Sequence, residues 1–339
     1  MSNQRDSQPM SNEGFTERLR KVIARAIGAT ATAHDLKRLT GGANKTTWSF
    51  DADVGGVPQP LILQIATEIE DPVAGFVPGL EPEEDARVIM AAVAAGVPAP
   101  HIRAVLETAD GLGRGYVTER VSGEALGARI VRDAQYAGAR TIMARQCGEI
   151  LAAIHSVDGT ALPFLVYQDA AAHVAAHRRI VDHYGFRSPA LELGLRWAAE
   201  NAPPATRHTV VHGDFRSGNL IVGPEGVRCV LDWELAQSGD PMQDLGWLCV
   251  KTWRFGGTAP VGGFGSREDL FAAYEHASGY AVDPRRVHFW EAFGNVKWAI
   301  DCLRLGARGV EEIGLERCAI GRRIEEPLWD FFNLIDERS

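Results

Sequence analysis

Two short apolar runs in the middle of the chain are bordered by polar side chains suited to chemistry. The stretch "HGDFRSGN" places Asp214 and Asn219 just before "LIV", and a second run, "VRCVL", ends at Asp232. A carboxylate can orient and deprotonate a hydroxyl group, and oxygen atoms are the ligands that Mg²⁺ prefers. Each residue alone could be a turn former, because Gly, Asp and Asn are common in turns. The joint spacing favours chemistry over turns.

The spacing matches the requirements of phosphoryl transfer. This reaction needs a carboxylate at the acceptor hydroxyl, oxygen ligands for Mg²⁺ and a loop that covers the phosphates. In kinases an aspartate is followed, after four intervening residues, by a metal-binding asparagine, and a second metal-binding aspartate ends a nearby strand. We expect a hairpin to bring Asp214, Asn219 and Asp232 together. His212 is predicted to be a buried histidine that holds this loop, and His155 to be a packing or capping histidine.

Composition limits the classes of protein. The 339 residues are 45% hydrophobic, enough for a large core and two lobes, and the formal net charge of −9 argues against binding nucleic acid. The five cysteines contain no CxxC pair, which favours reduced core residues. The first ten residues lack the apolar segment of a signal peptide, and no apolar run approaches the ~20 residues that span a bilayer. We therefore expect a cytoplasmic protein with neither nucleic acid nor membrane as partner.

The elements that must position the polar residues fall into two parts. Residues 1–13 read as a disordered tail, and 14–121 as a helix and a mostly antiparallel sheet that carries one internal helix from Glu83 to Ala95. Residues 122–339 read as mainly helical. The predicted helices of this part cover roughly 135–157, 168–184, 189–201, 267–278, 284–308 and 311–335.

Several further motifs accompany the two polar sites. They are "LTGGANKTTWSFDA", "EEDARVIMAAVAAGVPAP", "YVTERVSGE", "LAAIH", "VLDWELAQSGDPMQDLGWL" and, later, "WRFGG", "GGFG", "NVKWAI" and "IGRR". Together they resemble the aminoglycoside phosphotransferase and choline kinase-like family, and in particular the branch of kinase-like domains that accompany acyl-CoA dehydrogenases. The resemblance implies an α+β, two-lobed protein-kinase-like fold with a small antiparallel-sheet lobe and a larger helical lobe. It also implies an ATP-dependent phosphotransferase whose acceptor is a small-molecule alcohol, with Mg²⁺ as cofactor and ATP or GTP as co-substrate.

The resemblance assigns roles to individual residues. Asp214 is implied to be the catalytic base, Arg216 to help position a phosphate, and Asn219 and Asp232 to hold Mg²⁺. Asp244 is implied to brace the catalytic loop, residues 212–219, through backbone N–H groups. The alternative is a favourable charge at a helix N-terminus. The nucleotide is implied to bind residues of the phosphate loop, the third strand and the hinge: Gly41, Gly42, Ala43, Asn44, Lys45, Gln64, Glu119 and Val121.

One position departs from the family pattern. The family places a Lys or Arg on the third strand, where this chain has Gln64, and the usual helix partner corresponds to Asp85, beside Glu84. Lys45 could supply the missing positive charge from the phosphate loop, or it could point into solvent. The departure leaves a nucleotide-binding pseudoenzyme as the alternative to an active kinase.

The acceptor is open between two chemistries. An aminoglycoside would require several carboxylates, and the terminal segment offers Glu325, Glu326, Asp330 and Asp336, mixed with aromatic residues that suit core packing or an acyl substrate. The resemblance to the acyl-CoA dehydrogenase branch favours a hydroxyacyl-type metabolite.

Overall fold

The computed structural model describes residues 12–28, 32–39, 45–67, 73–77, 79–308, 310 and 314–336. The described chain divides into two compact units. The sheet unit comprises the described parts of Met1–Ile69 together with His101–Arg120, and the helical unit comprises those of Glu70–Pro100 and Val121–Ser339.

The sheet unit contains one helix and one antiparallel sheet. The elements are α1 (Asn12–Ala26), β1 (Thr32–Leu39), β2 (Lys45–Val54), β3 (Val57–Ala66), β4 (Ile102–Val105) and β5 (Gly115–Glu119). The strand order is β1-β2-β3-β5-β4, and every pair is antiparallel. Alternate residues of β3, among them Leu61 and Leu63, share one buried core with Leu19 and Ile23 of α1. Since side chains alternate across a strand, Gln64 lies on the opposite face of the sheet.

The helical unit is built around a 24-residue helix. The helices are α2 (Pro82–Ala94), α3 (Gly127–Arg132), α4 (Ala137–Ile154), α5 (Ala170–Tyr184), α6 (Pro189–Asn201), α7 (Met242–Cys249), α8 (Arg267–Ser278), α9 (Pro284–Ala307), α10 (Leu315–Ile320) and α11 (Glu325–Asp336). The strands are β6 (Tyr167–Gln168), β7 (Thr209–Val211), β8 (Leu220–Gly223), β9 (Gly226–Val230) and β10 (Gln237–Gly239). The long helix α9 packs against α5, α6, α7, α10 and α11, while α4 packs against α8.

Local sequence explains where several helices begin. Ser188 and Asp283 each accept a backbone N–H of the first turn, and a proline follows each of them at the first helical position. Proline fits there because its missing N–H would have no helical partner. At α2, Glu81 and Glu84 form a reciprocal capping box. Glu84 therefore has a structural use, and Asp85 lies fully buried on the same helix.

The predicted fold class, a small antiparallel sheet and a larger helical part, is confirmed. Three details differ from the sequence expectations. Helix α1 begins at Asn12, so residues 12 and 13 are helical, and the rest of the predicted tail lies outside the described residues. Helices α3 and α7 were not predicted, because they are short, with six and eight residues, and give little periodic signal. The helix predicted over 311–335 is instead two helices, α10 and α11, separated by a 3-10 turn at Gly321–Arg323.

The segment from Glu70 to Pro100, which contains α2, groups with the helical unit. The sequence predicts it as part of the sheet lobe. Within the described ranges, no helix combines the length and apolar character needed to cross a membrane.

Candidate active site

Asp214, Asn219 and Asp232 lie at one end of the hairpin formed by β8 and β9. The two strands pair in antiparallel fashion, with Leu220 opposite Val230. One residue beyond this pair, the backbone N–H of Leu231 donates to the carbonyl of Asn219 at 2.8 Å. Asp232 follows directly. The hairpin therefore joins the end of the catalytic loop to the residue after β9, as the sequence predicted.

The carboxylate of Asp214 is held by three donors. Trp247 Nε1 donates to Oδ1 at 2.7 Å, and Asn219 Nδ2 donates to Oδ2 at 2.7 Å. Arg216 Nε lies between the two oxygens, 3.1 Å from Oδ1 and 3.2 Å from Oδ2. The side chain of Asp214 is only 15% exposed. The carboxylate is thus fixed in orientation, and its longest contacts are with the partly exposed side chain of Arg216.

Asn219 and Asp232 offer oxygen atoms that fit Mg²⁺. The amide nitrogen of Asn219 is committed to Asp214, through both Oδ2 and the backbone carbonyl at 2.9 Å, so the amide oxygen is the atom left for a cation. Asp232 has a left-handed backbone with φ of +67°, an uncommon conformation for a residue with a side chain. Among the described residues, no three His, Cys, Asp or Glu side chains cluster as a metal site. Mg²⁺ in kinases is commonly held by few protein groups together with the substrate phosphates, so the donor set fits this cation.

Asp244, on α7, holds the backbone of the catalytic loop. Its carboxylate accepts the backbone N–H groups of His212 at 2.7 Å and Gly213 at 2.9 Å, as predicted. His155 Nε2 also donates to it at 3.1 Å, and the second ring nitrogen of His155 contacts the hydroxyl of Tyr274 at 3.0 Å. Burial acts to raise the pKa of Asp244, but the interactions with His155 and His212, led by the His155 hydrogen bond, together outweigh it and hold the pKa below the ordinary range. The brace therefore stays ionised.

His212 is the buried histidine that the sequence predicted. Its Nε2 contacts the carbonyl of Leu231 at 3.1 Å, and its Nδ1 accepts the backbone N–H of Asp214 at 3.2 Å, an arrangement that requires the Nε2–H tautomer. Burial lowers the pKa of His212, despite the nearby carboxylates of Asp244 and Asp214. A neutral His212 therefore links the catalytic loop to the strand that precedes Asp232. The next residue, Gly213, has φ of +79°, and a Cβ there would collide with the carbonyl of Leu235.

An open groove of about 1270 Å³ begins beside Arg216. The guanidinium of Arg216 stacks on Trp253 with 4.6 Å between its carbon and the ring centroid. The basic residues that line the groove are Arg132, Arg216, Lys251, Arg254 and Arg323, the acidic ones are Glu325, Glu326 and Asp330, and the aromatic ones are Trp253, Phe255, Trp298 and Trp329. Arg216 and Arg254 pair with carboxylates outside the lining, Asp214 and Glu291, while Lys251–Asp330 and Arg323–Glu326 pair within it. The lining charges that no described ion pair includes are Arg132 and Glu325.

The predicted nucleotide residues lie mainly in the sheet unit. Gly41, Gly42, Ala43 and Asn44 fall outside the described residues. Lys45 is the first residue of β2, and its Nζ lies 5.9 Å from the centroid of the Tyr116 ring. Gln64 is paired with both Thr47 and Tyr116, so Lys45, Gln64 and Tyr116 share one face of the sheet.

The two hinge residues fall on either side of the boundary between the units. Glu119 ends β5, and its carboxylate accepts the backbone N–H of His101 and a guanidinium N–H of Arg103, both at 3.2 Å. Val121 is the first residue of the second segment of the helical unit.

Sequence reasoning did not assign three residues that contact the site: Trp247, Trp253 and the brace partner His155. Trp247 and Trp253 stood within quoted motifs, "GDPMQDLGWL" and "WRFGG". His155 precedes its partner Asp244 by 89 positions, so only the folded chain shows the contact.

Comparisons with known proteins agree with this fold. Residues 35–290 match the model of the "Phosphotransferase enzyme family". Acyl-CoA dehydrogenase family member 10 of Mus musculus is 31% identical over 187 residues, which cover 50% of this chain and 16% of that protein. The chain therefore spans about a sixth of the length of this relative.

Two solved structures share the fold. A putative aminoglycoside phosphotransferase from Ralstonia eutropha has a TM-score of 0.70 and 23% identity, covering 93% of this chain and 97% of that one. A thermostable mutant of aminoglycoside phosphotransferase APH(4)-Ia, in a ternary complex with ADP and hygromycin B, has a TM-score of 0.59 and 15% identity, covering 93% and 98%.

The match extends over three quarters of the chain and includes the whole of the catalytic loop, so the protein belongs to the phosphotransferase enzyme family. The resemblance stated from the sequence, including the acyl-CoA dehydrogenase branch, is confirmed. The predicted enzyme class, a phosphotransferase, is confirmed at the level of the family.

Proposed function

We propose that this chain is an ATP-dependent kinase that moves the γ-phosphate to a hydroxyl group of a small, negatively charged metabolite. The observation that carries the proposal is the carboxylate of Asp214, fixed by Trp247 and Asn219 and joined through Arg216 to an open groove. The fold neighbour that holds ADP and hygromycin B supports a nucleotide and a small-molecule acceptor as the two substrates.

The proposed step is an in-line displacement. The acceptor hydroxyl gives its proton to Asp214 as its oxygen bonds to the γ-phosphorus, and the bond from that phosphorus to the oxygen bridging to the β-phosphate breaks, so that ADP leaves. The hydroxyl must take the place of a donor on the carboxylate. Arg216 makes the longest contacts, and it can turn toward the phosphate or the groove without disturbing the two short hydrogen bonds.

Asn219 and Asp232 are the residues proposed to hold Mg²⁺, through the amide oxygen and the carboxylate. When bound, Mg²⁺ would neutralise charge on the phosphates of the nucleotide. ATP is the proposed co-substrate, and GTP is the alternative. Neither nucleic acid nor membrane belongs to the proposal, and the absence of disulfides among the five cysteines supports a cytoplasmic location.

Arg132 is the basic side chain of the groove that supports an anionic acceptor. Arg132 donates from Nε and Nη2 to the carbonyl of Phe255, at 3.1 and 2.7 Å, and within the described residues no carboxylate pairs with it. Arg132 is exposed, and a guanidinium whose described partner is neutral is suited to a carboxylate or phosphate of the substrate. The relative named as an acyl-CoA dehydrogenase family member supports an acyl compound, and we therefore propose a hydroxyacyl-type acceptor.

The carboxylates that an aminoglycoside would need are mostly committed elsewhere. Asp330 pairs with Lys251 at 2.6 Å, and Glu326 pairs with Arg323 at 2.6 Å. Asp336 does not line the groove but a separate cavity, beside Trp197. Of the four acidic residues considered from the sequence, Glu325 alone lines the groove without a described basic partner.

A transfer screen tests the proposal. Radiolabelled phosphate from [γ-³²P]ATP would be followed into hydroxyacyl-CoA esters, aminoglycosides, choline-like alcohols and sugars, with wild-type protein and the Arg132→Ala variant. We expect transfer to a hydroxyacyl compound, and a rise of about tenfold in the KM for that acceptor in Arg132→Ala, with the KM for ATP unchanged. Transfer to aminoglycosides alone would contradict the proposed acceptor class.

Gln64 favours a second candidate function, a nucleotide-binding protein that does not transfer phosphate. An amide can donate to a phosphate oxygen but carries no charge. Nucleotide binding without transfer to any acceptor in the screen would support this second candidate. The intact hydrogen bonding of Asp214 favours the kinase, because a protein that only binds nucleotide has no need of a base.

A further inference from the structure

We propose that Trp247 is a positioning residue for Asp214 and sets the orientation in which the carboxylate meets the acceptor hydroxyl. The proposal rests on the proposed function, because it takes Asp214 to be the base. Its starting point is the 2.7 Å hydrogen bond from Trp247 Nε1 to Asp214 Oδ1, made by a tryptophan that is 5% exposed.

One helix holds both the backbone and the side chain of the catalytic loop. Asp244 and Trp247 are three positions apart on α7, so they lie on the same face of that helix. Asp244 accepts the backbone N–H groups of His212 and Gly213, while Trp247 donates to the carboxylate of the following residue, Asp214. The position of the base relative to its own backbone is therefore fixed by a single rigid element.

The contacts on the carboxylate separate fixed donors from a replaceable one. Trp247 and Asn219 each make one short hydrogen bond, to opposite oxygens, and together they define the plane of the carboxylate. The Nε of Arg216 is shared between both oxygens at longer distances. When the acceptor hydroxyl displaces Arg216, Trp247 still prevents rotation of the carboxylate.

Lys297 strengthens the indole as a donor and ties it to the loop. Its Nζ lies 4.3 Å from the centroid of the Trp247 ring and 3.4 Å from the carbonyl of Gly213, to which it donates. A cation over the face of an indole withdraws electron density, and the N–H group becomes a better donor. Trp253 packs on Trp247 at 5.1 Å between centroids, which limits movement of the ring.

The Trp247→Phe variant tests the role of the N–H group, since phenylalanine keeps an aromatic ring for Lys297 and Trp253. We expect kcat to fall about tenfold, with the KM values for ATP and for the acceptor changed less than twofold, because only the alignment of the base is affected. Trp197→Phe is the matched control. It also exchanges an indole for a phenyl ring, in a cluster with Phe289 and Phe331, and it should keep wild-type kcat. Equal kcat in wild type and Trp247→Phe would overturn the proposal.

A spectroscopic test is independent of activity. The protein has eight tryptophans, so ¹⁵N-labelled protein gives up to eight indole N–H resonances, which can be assigned through the backbone. We expect Asp214→Asn to shift the indole resonance of Trp247 and to leave that of Trp197 in place. An unshifted Trp247 resonance would overturn the contact itself. This test decides whether Trp247 contacts Asp214 even if Trp247→Phe does not fold. It also separates failure of this inference from failure of Asp214 as the base, because only transfer assays measure the latter.

Discussion

The catalytic loop and the sheet face that carries Gln64 differ in the kind of polar group that each presents. In the loop, Asp214 and Asp244 each accept several hydrogen bonds in a nearly closed environment, and one donor to each comes from a distant part of the chain, Trp247 for Asp214 and His155 for Asp244. On the sheet face, an amide stands where the family has a cation, and Lys45 lies 5.9 Å from an aromatic ring. A base must be aligned with the reacting atoms, whereas a positive charge acts over a longer range and can be supplied from another position. The difference indicates that geometry constrains the loop and that charge alone constrains the sheet face.

The hydrogen bonding of the catalytic loop can be tested by removing the carboxylate of Asp244. Asp244→Ala would leave the N–H groups of His212 and Gly213 and the ring of His155 without their acceptor inside the protein. We expect a loss of about 3–5 kcal/mol in the free energy of unfolding, the cost of breaking a buried charged network. Urea unfolding measures it, with Asp336→Ala, at an exposed site near the end of the described chain, as the control. A loss below about 1 kcal/mol would show that the brace is dispensable.

The proposed metal position gives the next largest effect. Asp232→Ala should remove most of the gain in nucleotide affinity that Mg²⁺ provides, about 10²-fold, because a carboxylate is the main charged ligand proposed for the cation. Isothermal titration of ATP with and without Mg²⁺ measures the gain in each protein. Equal affinities with and without Mg²⁺ in the wild type would remove Asn219 and Asp232 from the metal site.

The role of positive charge on the sheet face can be tested at Lys45. If charge alone matters on this face, Lys45→Ala should lower transfer at least ~10-fold, equivalent to ~1.4 kcal/mol. Gln64→Lys in that background should restore part of the rate, since register places both residues on the same face. Initial rates at saturating acceptor measure both effects. Wild-type kinetics in Lys45→Ala would show that no charge is needed from this residue.

A further prediction concerns two buried histidines of α5. Burial lowers the pKa of His177 to about 4 and that of His173 well below its ordinary value of 6.5, with Lys297 acting in the same direction and Asp301 opposing it at His177. Both residues are neutral when folded but gain a proton below pH 6.5 when unfolded. The contribution of these histidines to the free energy of unfolding should therefore be fully present above pH 6.5. It should decline as the pH falls toward 4, by at most about 1.4 kcal/mol per pH unit for each histidine.

His177→Asn keeps a donor for the carbonyl of His173, which His177 Nδ1 contacts at 2.7 Å. It removes one of the two titrating rings. Urea unfolding at pH 7, 6 and 5 should show a shallower decline in this variant than in the wild type. Parallel curves would indicate that His177 does not contribute to the pH dependence.

Much of the fold and the core of the site followed from local patterns. Asp214, Asn219 and Asp232 flank adjacent strands of one hairpin, so their spacing along the chain was enough to place them together. Asp244 could be recognised because its motif is contiguous. Alternation and helical periodicity gave the sheet and the long helices, including α6 and α8 with the bounds predicted.

The remainder depended on tertiary packing. His155, directly after α4, contacts Asp244, and Trp247 of α7 contacts Asp214; neither contact follows from spacing. The break between α10 and α11 lies where Gly321 approaches Gly306 of α9, so closely that a Cβ on either residue would collide with the other. A periodic apolar pattern through this region could not show that close approach, and it therefore predicted one continuous helix.

The central claim is that Asp214 acts on the acceptor hydroxyl while the nucleotide is bound by other residues. The most direct measurement is single-turnover transfer from saturating Mg²⁺·ATP in wild type and in Asp214→Asn, with ATP affinity measured on the same samples. We predict a rate lower by ~10² to 10⁴-fold in the variant, with ATP affinity nearly unchanged. Near-wild-type transfer in Asp214→Asn would show that Asp214 is a loop residue and that the chemistry lies elsewhere.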